Sequence, residues 1–465
     1  MAENLAALLD NTARVAPERA ALVWDSGALT WRELERRAAG FARSLATRGI
    51  AAGDRVAVSI PNRWSFVVAL WGGWKRGATV VPLNPLLTPD ERDRILAHLG
   101  PKLLVDSIEG DDVEWPSDSA PGAPSLILYT SGSTGQPKGA VLSHAALAFS
   151  SRSWAEPVMA LGRDDRVLAV LPFSHSYGLN GALLAPLWAG ACVVLVERFV
   201  PEEVLAAIAR HRVTVFPAVA TMIRRLLDSP QLERTDLSSL RLTLSGAAPC
   251  PWDLAEEWQR RTGVRILRGY GMTELFRPIS YLAGDNRDLP DSIGRAVPGV
   301  QVRVVDEDGK PLPATEVGEL WINSPAAMDG YLDAPDETRA VIEHGWFKTG
   351  DLARITPDGF VCIVGRKREL ILRGGYTVFP AEVEAALLAH PAVAEAAVVG
   401  VPHAELGEEV VAFATLRAGA IAPAEQLVAH CKERLAAYKY PRRIVIVDQL
   451  PKGATGKIVK ARLVD

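Results

Sequence analysis

YTSGSTGQPKG, residues 129–139, is the stretch from which the rest of the chain can be read. Tyr129, Thr130, Ser131, Ser133 and Thr134 carry hydroxyls. Gly132, Gly135 and Gly139 remove the side chains that would hold a backbone away from a bulky anion, and Lys138 adds a full positive charge. The apolar run just upstream, Ser125–Tyr129, reads as a buried strand emptying into this loop. A strand followed by a Gly/Ser/Thr loop with a lysine is a polyphosphate cradle in physical terms, with backbone N–H groups and hydroxyls as donors. It is not a Walker A loop, whose lysine is followed by Ser or Thr; here Pro137 precedes Lys138 and Gly139 follows it. The bland alternative is a solvated surface loop, because loops favour the same residues. The density of donors, the lysine and the strand ahead of it weigh against that.

Outward from the loop, the chain alternates. The segments 20–25 and 28–31 read as a hairpin, and Thr30 with Glu33 three residues on forms a capping box for a helix carrying Leu34, Ala38, Phe41 and Leu45. Strand 55–60, helix 66–74, strand 79–83, a capped helix 88–99 and strand 102–106 follow, then a polar connector over 107–124. Beyond the loop, strands at 166–171, 191–196, 214–217, 240–244 and 265–268 alternate with helices at 201–211, 221–227 and 252–262. Alternation of this kind predicts parallel sheets covered by helices. An uncharged run, 176–196, is long enough to span a bilayer. Its Asn180, Pro186 and glycines read instead as a buried helix, a turn at Gly190 and a strand. From about residue 300 the texture becomes antiparallel around an Asp-Gly turn at 308–309. After Arg366 a smaller unit begins, with helices 381–388 and 425–438 and strands near 394–401, 410–416 and 443–448.

The expected fold is therefore α/β. A large N-terminal domain, 1–366, has stacked, mostly parallel sheets and a small β-barrel-like part at about 300–365. A small hinged α+β domain, 367–465, ends the chain. With 465 residues there is length enough for both cores. A net charge of -4 gives no general attraction to nucleic acid or to an anionic membrane. Cys192, Cys250, Cys362 and Cys431 are scattered without a CxxC pair, which suits a reducing cytoplasm and indicates neither a disulfide framework nor a zinc site. The N-terminus lacks a basic region ahead of an apolar one, so no secretory leader is expected.

Further motifs stand downstream in order: LPFSHSYG around His175, GYGMTE at 269–274, Thr349-Gly350-Asp351, GRKREL beginning at Gly365, and LPKGATGKIVK around Lys457. With the loop, they resemble the adenylate-forming superfamily, which comprises acyl- and aryl-CoA synthetases, peptide-synthetase adenylation domains and beetle luciferases; the acyl- and aryl-CoA synthetases are the nearest in motif. The resemblance implies that Thr130, Ser131, Gly132, Ser133, Thr134, Gly135 and Lys138 hold the phosphates of ATP. It puts Gly246, Ala247, Gly269, Tyr270, Gly271, Met272 and Thr273 around the nucleotide, with the Tyr270 ring against adenine and the Thr273 hydroxyl on the α-phosphate. Glu274 is implied as the Mg²⁺ ligand, Asp351 and Arg366 as ribose ligands with Ile363 nearby, and Lys457 as the bridge between the acid's carboxylate and the α-phosphate. His175, Thr273, Glu274 and Lys457 are thus the candidate catalytic residues. Such parts answer a physical need: a carboxylate attacking a phosphate brings two anions together, and cations must offset the repulsion. Arg373, Gly374, Gly375 and Tyr376 resemble the segment lining the pantetheine tunnel. Arg368 falls at the hinge, where the superfamily usually has Asp or Lys.

The implied activity joins a carboxylic acid to CoA through an acyl-adenylate, consuming ATP and releasing pyrophosphate and AMP. Peptide-synthetase domains usually carry an aspartate in the His175 motif to hold the substrate amine; its absence here argues against an amino acid. The implied pocket, Phe173, His175, Tyr177, Ser245, Gly246, Ala247, Phe276, Arg277 and Pro278, is mostly apolar and aromatic, favouring an aromatic or medium-chain aliphatic acid. Arg277 opens a rival, because a buried arginine wants a carboxylate, which would make the substrate a dicarboxylate or keto acid. Otherwise Arg277 points to solvent or to an acid such as Asp285. Transfer to a carrier-protein phosphopantetheine, and a nucleotide-binding protein without ligase activity, remain as alternatives. No nucleic-acid partner and no stable membrane association are expected.

Overall fold

The computed structural model describes residues 5–108, 123–130, 137–453 and 458–463. Much of the polar connector, residues 131–136 of the loop, and Lys457 lie outside the described residues. The chain divides into two compact units, Met1–Gln301 with Ile322–Phe347, and Val302–Trp321 with Lys348–Asp465. Packing thus groups most of the β-rich segment with the C-terminal residues. The boundary expected at 366 concerns a hinge, and a division by packing leaves it open.

The first unit is built on two sheets. In the nine-stranded sheet the strands Ile266–Met272, Leu242–Ser245, Val215–Ala218, Arg166–Ala169, Cys192–Leu195 and Ala20–Trp24 run side by side in that order, parallel to one another. Antiparallel strands close both edges: Phe276–Ser280 and Arg295–Ala296 at one, Gly27–Thr30 at the other. Its strands read as continuous apolar runs because helices cover them, and Val194, Phe216, Ile223, Ile208 and Trp258 form one buried cluster there. In the six-stranded sheet, Leu103–Val105, Arg55–Val58, Thr79–Pro82 and Pro124–Thr130 are parallel neighbours. Lys138–Ser143 then returns antiparallel to Pro124–Thr130, and Gly330–Tyr331 pairs antiparallel outside it.

Local chemistry sets the helix boundaries. Thr30 and Thr88 both cap through complete capping boxes, with Glu33 and Glu91 reaching back to the cap N–H groups. Pro89 at the first helical position and left-handed Gly100 at the end frame the second of these helices. The uncharged run over 176–196 is a buried helix, Ser176–Leu179 continuing through a π turn, Asn180–Leu184, into Ala185–Trp188, and then the strand Cys192–Leu195. Among the described residues no helix is long and apolar enough to cross a membrane. Lys75, fully buried, pairs with Asp10 and with Glu35 at 2.9 Å, which ties together the three helices Leu5–Val15, Trp31–Thr47 and Trp64–Lys75.

In the second unit, strands Gln301–Val305, Gly318–Asn323, Trp346–Ile355 and Val361–Arg366 lie in that order. A further sheet orders Tyr376–Val378, Ile371–Arg373, Gly407–Leu416 and Val393–His403, with Arg443–Ile446 parallel to Gly407–Leu416. Helices Pro380–Leu388 and Ala424–Arg434 bring Val383, Leu387, Leu427 and Cys431 to its core.

His144 supplies a test of packing in the first unit. It opens helix His144–Ser153, is 1% exposed and meets the Trp74 ring edge-on at 5.6 Å. Burial pulls its pKa down to about 4. The folded state therefore keeps His144 neutral while the unfolded chain takes up a proton below about pH 6.5, so stability falls as pH drops from about 6.5 towards 4. His144→Phe is expected to remove about 3 kcal/mol of that loss, read as a flatter dependence of Tm on pH between 4.5 and 7 than in the parent protein.

Candidate active site

The loop 129–139 sits between two antiparallel strands, where the sequence indicated only the strand that enters it. Thr130 pairs with Lys138 across the ladder, so loop residues 131–137 are the link between two hydrogen-bonded strands. Lys138 is mostly buried, lies over the Tyr331 ring at 5.6 Å and pairs with Glu337. A cavity of about 240 Å³ borders this side of the loop, lined by Arg94, His98, Pro137, Lys138, Tyr331 and Glu337. The Tyr129 hydroxyl meets His98 Nδ1 at 2.8 Å.

Gly269–Met272, expected beyond the end of a strand, continues it: Ile266–Met272 is one strand, and it turns through residues 273–275 into Phe276–Ser280. Glu274 stands at the tip of this hairpin. Phe276, which follows the turn, has φ 56°, a left-handed conformation that glycine usually supplies in such hairpins. Ala247, at φ 63°, is a second non-glycine left-handed residue among the candidates. Backbone strain of this kind, roughly 1–3 kcal/mol each, persists where the surroundings over-determine it and collects at functional sites.

Tyr331 is the residue the sequence reading missed. Its hydroxyl donates to Glu274 Oε1 at 2.8 Å, and burial, then the charge of Glu274, push the phenol well above its ordinary pKa, so it remains a donor. Its strand pairs with Lys138–Ser143, Leu332 N–H donates to Gly139 O at 2.8 Å, and Met328 N–H donates to Glu274 O at 2.8 Å. Residues 328–332 thereby fasten the hairpin that carries Glu274 to the strand leaving the loop 129–139. A lone Gly-Tyr pair in an irregular stretch offered no periodic signal that could have found it.

Around the implied acid pocket, Phe173 is turned into the core, 5.2 Å from Phe66, with its N–H held by Asn62 Oδ1 at 3.0 Å. His175 occupies the N-cap position of the helix that begins at Ser176, half-buried. Tyr177 donates to Ala218 O at 3.0 Å, and burial raises its phenol to about 12. Ser245 is buried at the end of its strand, and Gly246 and Ala247 follow it. Phe276, Arg277 and Pro278 are all buried. Arg277 does not face solvent, and Asp285 does not take it, since Asp285 pairs with Arg295.

In the second unit Asp351 and Arg366 are cross-strand partners, with Arg366 Nε 3.1 Å from Asp351 Oδ1. Asp351 is 4% exposed, and its N–H donates to Thr349 Oγ1 at 3.1 Å, which explains the TGD spacing as a local turn. Ile363 lies on the neighbouring strand opposite Ala353. Arg368 is exposed in the short 3-10 turn Lys367–Glu369 that leaves this sheet. Arg373 is buried and engaged: Nε is 2.7 Å from Glu409 Oε1, and Nη1 donates to Tyr438 O at 2.9 Å. Gly374 and Gly375, at φ 57° and 82°, make the tight turn to Tyr376, which is exposed and stacks on Tyr438 at 4.6 Å. Lys457 lies outside the described residues; next to it Ile458 bridges antiparallel to Lys452, whose ammonium pairs with Glu395 at 2.6 Å.

One carboxylate at the hairpin tip fits Mg²⁺, which takes one or two protein carboxylates and completes its shell with phosphate oxygens and water. Glu274 accepts the Tyr331 hydroxyl through one of its two oxygens, and among the described residues there is no cluster of three His, Cys, Asp or Glu side chains suited to a metal.

The model of the AMP-binding enzyme family matches residues 9–118 and 106–332, and that of the AMP-binding enzyme C-terminal domain matches residues 382–457. The chain belongs to the AMP-binding enzyme family. Feruloyl-CoA synthase of an Amycolatopsis species is 35% identical, the match covering 97% of this chain and 96% of that protein. Sulfoacetate–CoA ligase of Cupriavidus necator is also 35% identical, over 100% of this chain and 98% of its own length. The crystal structure of ATP-bound MatB from Rhodopseudomonas palustris superposes with a TM-score of 0.93 at 32% identity, covering 99% of this chain and 98% of that one. With this fold and these relatives, the protein is an AMP-forming ligase that joins a carboxylic acid to CoA through an acyl-adenylate.

Tyr331→Phe removes only the hydroxyl that orients Glu274. Acid-dependent ATP–pyrophosphate exchange is expected to fall about tenfold or more and to need more Mg²⁺ for half-maximal rate, as when an outer partner of a metal ligand is lost, with Tm little changed. Unchanged exchange across a Mg²⁺ titration would count against the role given to Tyr331.

Proposed function

We propose that the two half-reactions are divided among this chain's residues as follows. The loop from Thr130 to Lys138, including Ser131, Gly132, Ser133, Thr134 and Gly135, holds the phosphates. Glu274, oriented by Tyr331, holds Mg²⁺, which when bound offsets the charge gathering on the phosphates. Tyr270 and Thr273 meet the adenine and the α-phosphate, Asp351 and Arg366 bind the ribose, and Lys457 supplies an ammonium between the acid's carboxylate and the α-phosphate. A carboxylate oxygen attacks the α-phosphorus and the bond to pyrophosphate breaks; the CoA thiol then attacks the acyl carbon, and AMP leaves. The observation that carries this reading is the hydrogen-bonded connection of Glu274, through Tyr331, to the strand bearing Lys138.

The C-terminal domain, 367–465, is read as turning about Arg368 between the steps, so that Gly374, Gly375 and Tyr376 come to line the thiol's path. Arg373, committed to Glu409, would shape that hairpin rather than offer its charge to the ligand. The acid is read as having an aromatic or medium-chain aliphatic body, because Tyr177, Phe276 and Pro278 are the aromatic and apolar members of the implied pocket. The free cysteines are consistent with a reducing cytoplasm.

Lys457→Ala separates the two steps. Exchange of pyrophosphate into ATP should fall about 100-fold or more, the scale of losing a charge aimed at the reacting group. Thioester formation from a supplied acyl-adenylate should stay within about tenfold of the parent rate, a loss no larger than about 1.4 kcal/mol. Equal losses in both steps would overturn the assignment.

A further inference from the structure

We infer that the acid carries a second anionic group, a carboxylate or a sulfonate, and that Arg277 binds it. The inference rests on the ligase reading of the pocket and narrows its substrate class. Arg277 is 4% exposed. Its Nε donates to Ser280 Oγ at 3.1 Å and its Nη2 to Leu267 O at 3.0 Å, while Nη1 is buried with no hydrogen-bond partner. The guanidinium lies 5.2 Å from the Trp154 ring and 6.0 Å from the Tyr177 ring. Ring faces offset part of the cost of burying a cation, but arginine cannot shed its proton to escape the remainder. No carboxylate pairs with it among the described residues. The unmet requirement is an anion at the Nη1 edge.

That edge faces Gly246 and the Tyr177 ring, both members of the implied acid pocket. A Cβ on Gly269 would fall 2.1 Å from Arg277 Nε, so only glycine there lets the guanidinium lie flat on its neighbouring strand. A Cβ on Gly246 would stand 3.4 Å from both Nη1 and the Tyr177 ring, and its absence leaves the edge uncovered. Ser245, next to Gly246, and Ser153, next to Trp154, each hold a buried hydroxyl with no hydrogen-bond partner. Ser153 and Arg277 border one tight crevice with Ser150 and Pro278, too narrow in this structure to admit a water molecule. The Nη1 edge, with the Ser153 and Ser245 hydroxyls on neighbouring segments, offers donors that an anionic oxygen would satisfy and a methyl or phenyl terminus would leave bare. Such a site rejects the analogue lacking the polar group far more strongly than an apolar pocket rejects a wrong size. Arg268, equally buried, makes the contrast: both its terminal nitrogens donate to carbonyls, Leu289 O and Pro290 O, at 2.5 Å.

The test is ATP–pyrophosphate exchange by the full chain with paired acids: hexanoate against adipate, benzoate against terephthalate, and the matching sulfonates. The parent protein is expected to favour the doubly anionic member of at least one pair by about tenfold or more in kcat/KM. Arg277→Met should reverse that preference, and Arg277→Lys should restore part of it. Preference between carboxylate and sulfonate within the active pair identifies which anion the site takes. Parent protein that uses singly charged acids better in every pair overturns the inference and leaves the ligase reading standing, and this arm needs no variant to fold. A doubly anionic preference that survives in folded Arg277→Met also overturns it, making Arg277 a strut between Trp154 and Leu267. Exchange with none of the acids overturns the reading of the pocket on which the inference rests, and the inference with it.

Discussion

The hydrogen bond from the Tyr331 hydroxyl to Glu274 joins the two sheets of the first unit. Glu274 belongs to an antiparallel hairpin at the edge of the nine-stranded sheet, and Tyr331 to the outermost strand of the six-stranded one. The loop 129–139, proposed to hold the phosphates, leaves and re-enters that second sheet through Thr130 and Lys138. A phosphate-binding loop and a metal-binding carboxylate must hold their separation to within about an ångström to act on one triphosphate, and positions fixed on strands meet that demand better than positions on free loops. Strand Gly330–Tyr331, only two residues long, provides the registration by bonding to one sheet through its backbone and to the other through a side chain.

Charge is handled differently in the scaffold and in the pocket. Lys75 is fully buried and has Asp10 and Glu35 beside it; Arg373 has Glu409; Lys460 has Glu369 and Glu384, both at 2.8 Å. These pairs repay desolvation with a nearby opposite charge and hold elements in place. Arg277 repays it with two rings, a hydroxyl and a carbonyl, and keeps one donor unused. Arg268, by contrast, directs both its terminal nitrogens to carbonyls.

What could be read from sequence was what is locally encoded. Thr30 with Glu33 and Thr88 with Glu91 announce their helices because the capping box is complete within four residues. The alternation of apolar runs with amphipathic segments announces the parallel sheets. The antiparallel returns were not announced. Lys138–Ser143 is short and lacks a clean period of two, and Gly269–Met272 looks like a turn because its glycines are there for close approach rather than for bending. The motif residues could be picked out in the sequence, and so could the tension at Arg277. Its burial against Trp154 depends on a helix more than a hundred positions away, and Tyr331 matters only through a partner that tertiary structure brings to it.

The acid is activated by attack of its own carboxylate oxygen on the α-phosphorus of ATP. The most direct measurement is isotope transfer in a complete turnover with an acid labelled with oxygen-18 in its reacting carboxylate. The account predicts that AMP acquires one labelled oxygen while pyrophosphate acquires none. Label in inorganic phosphate, or AMP free of label, would contradict it.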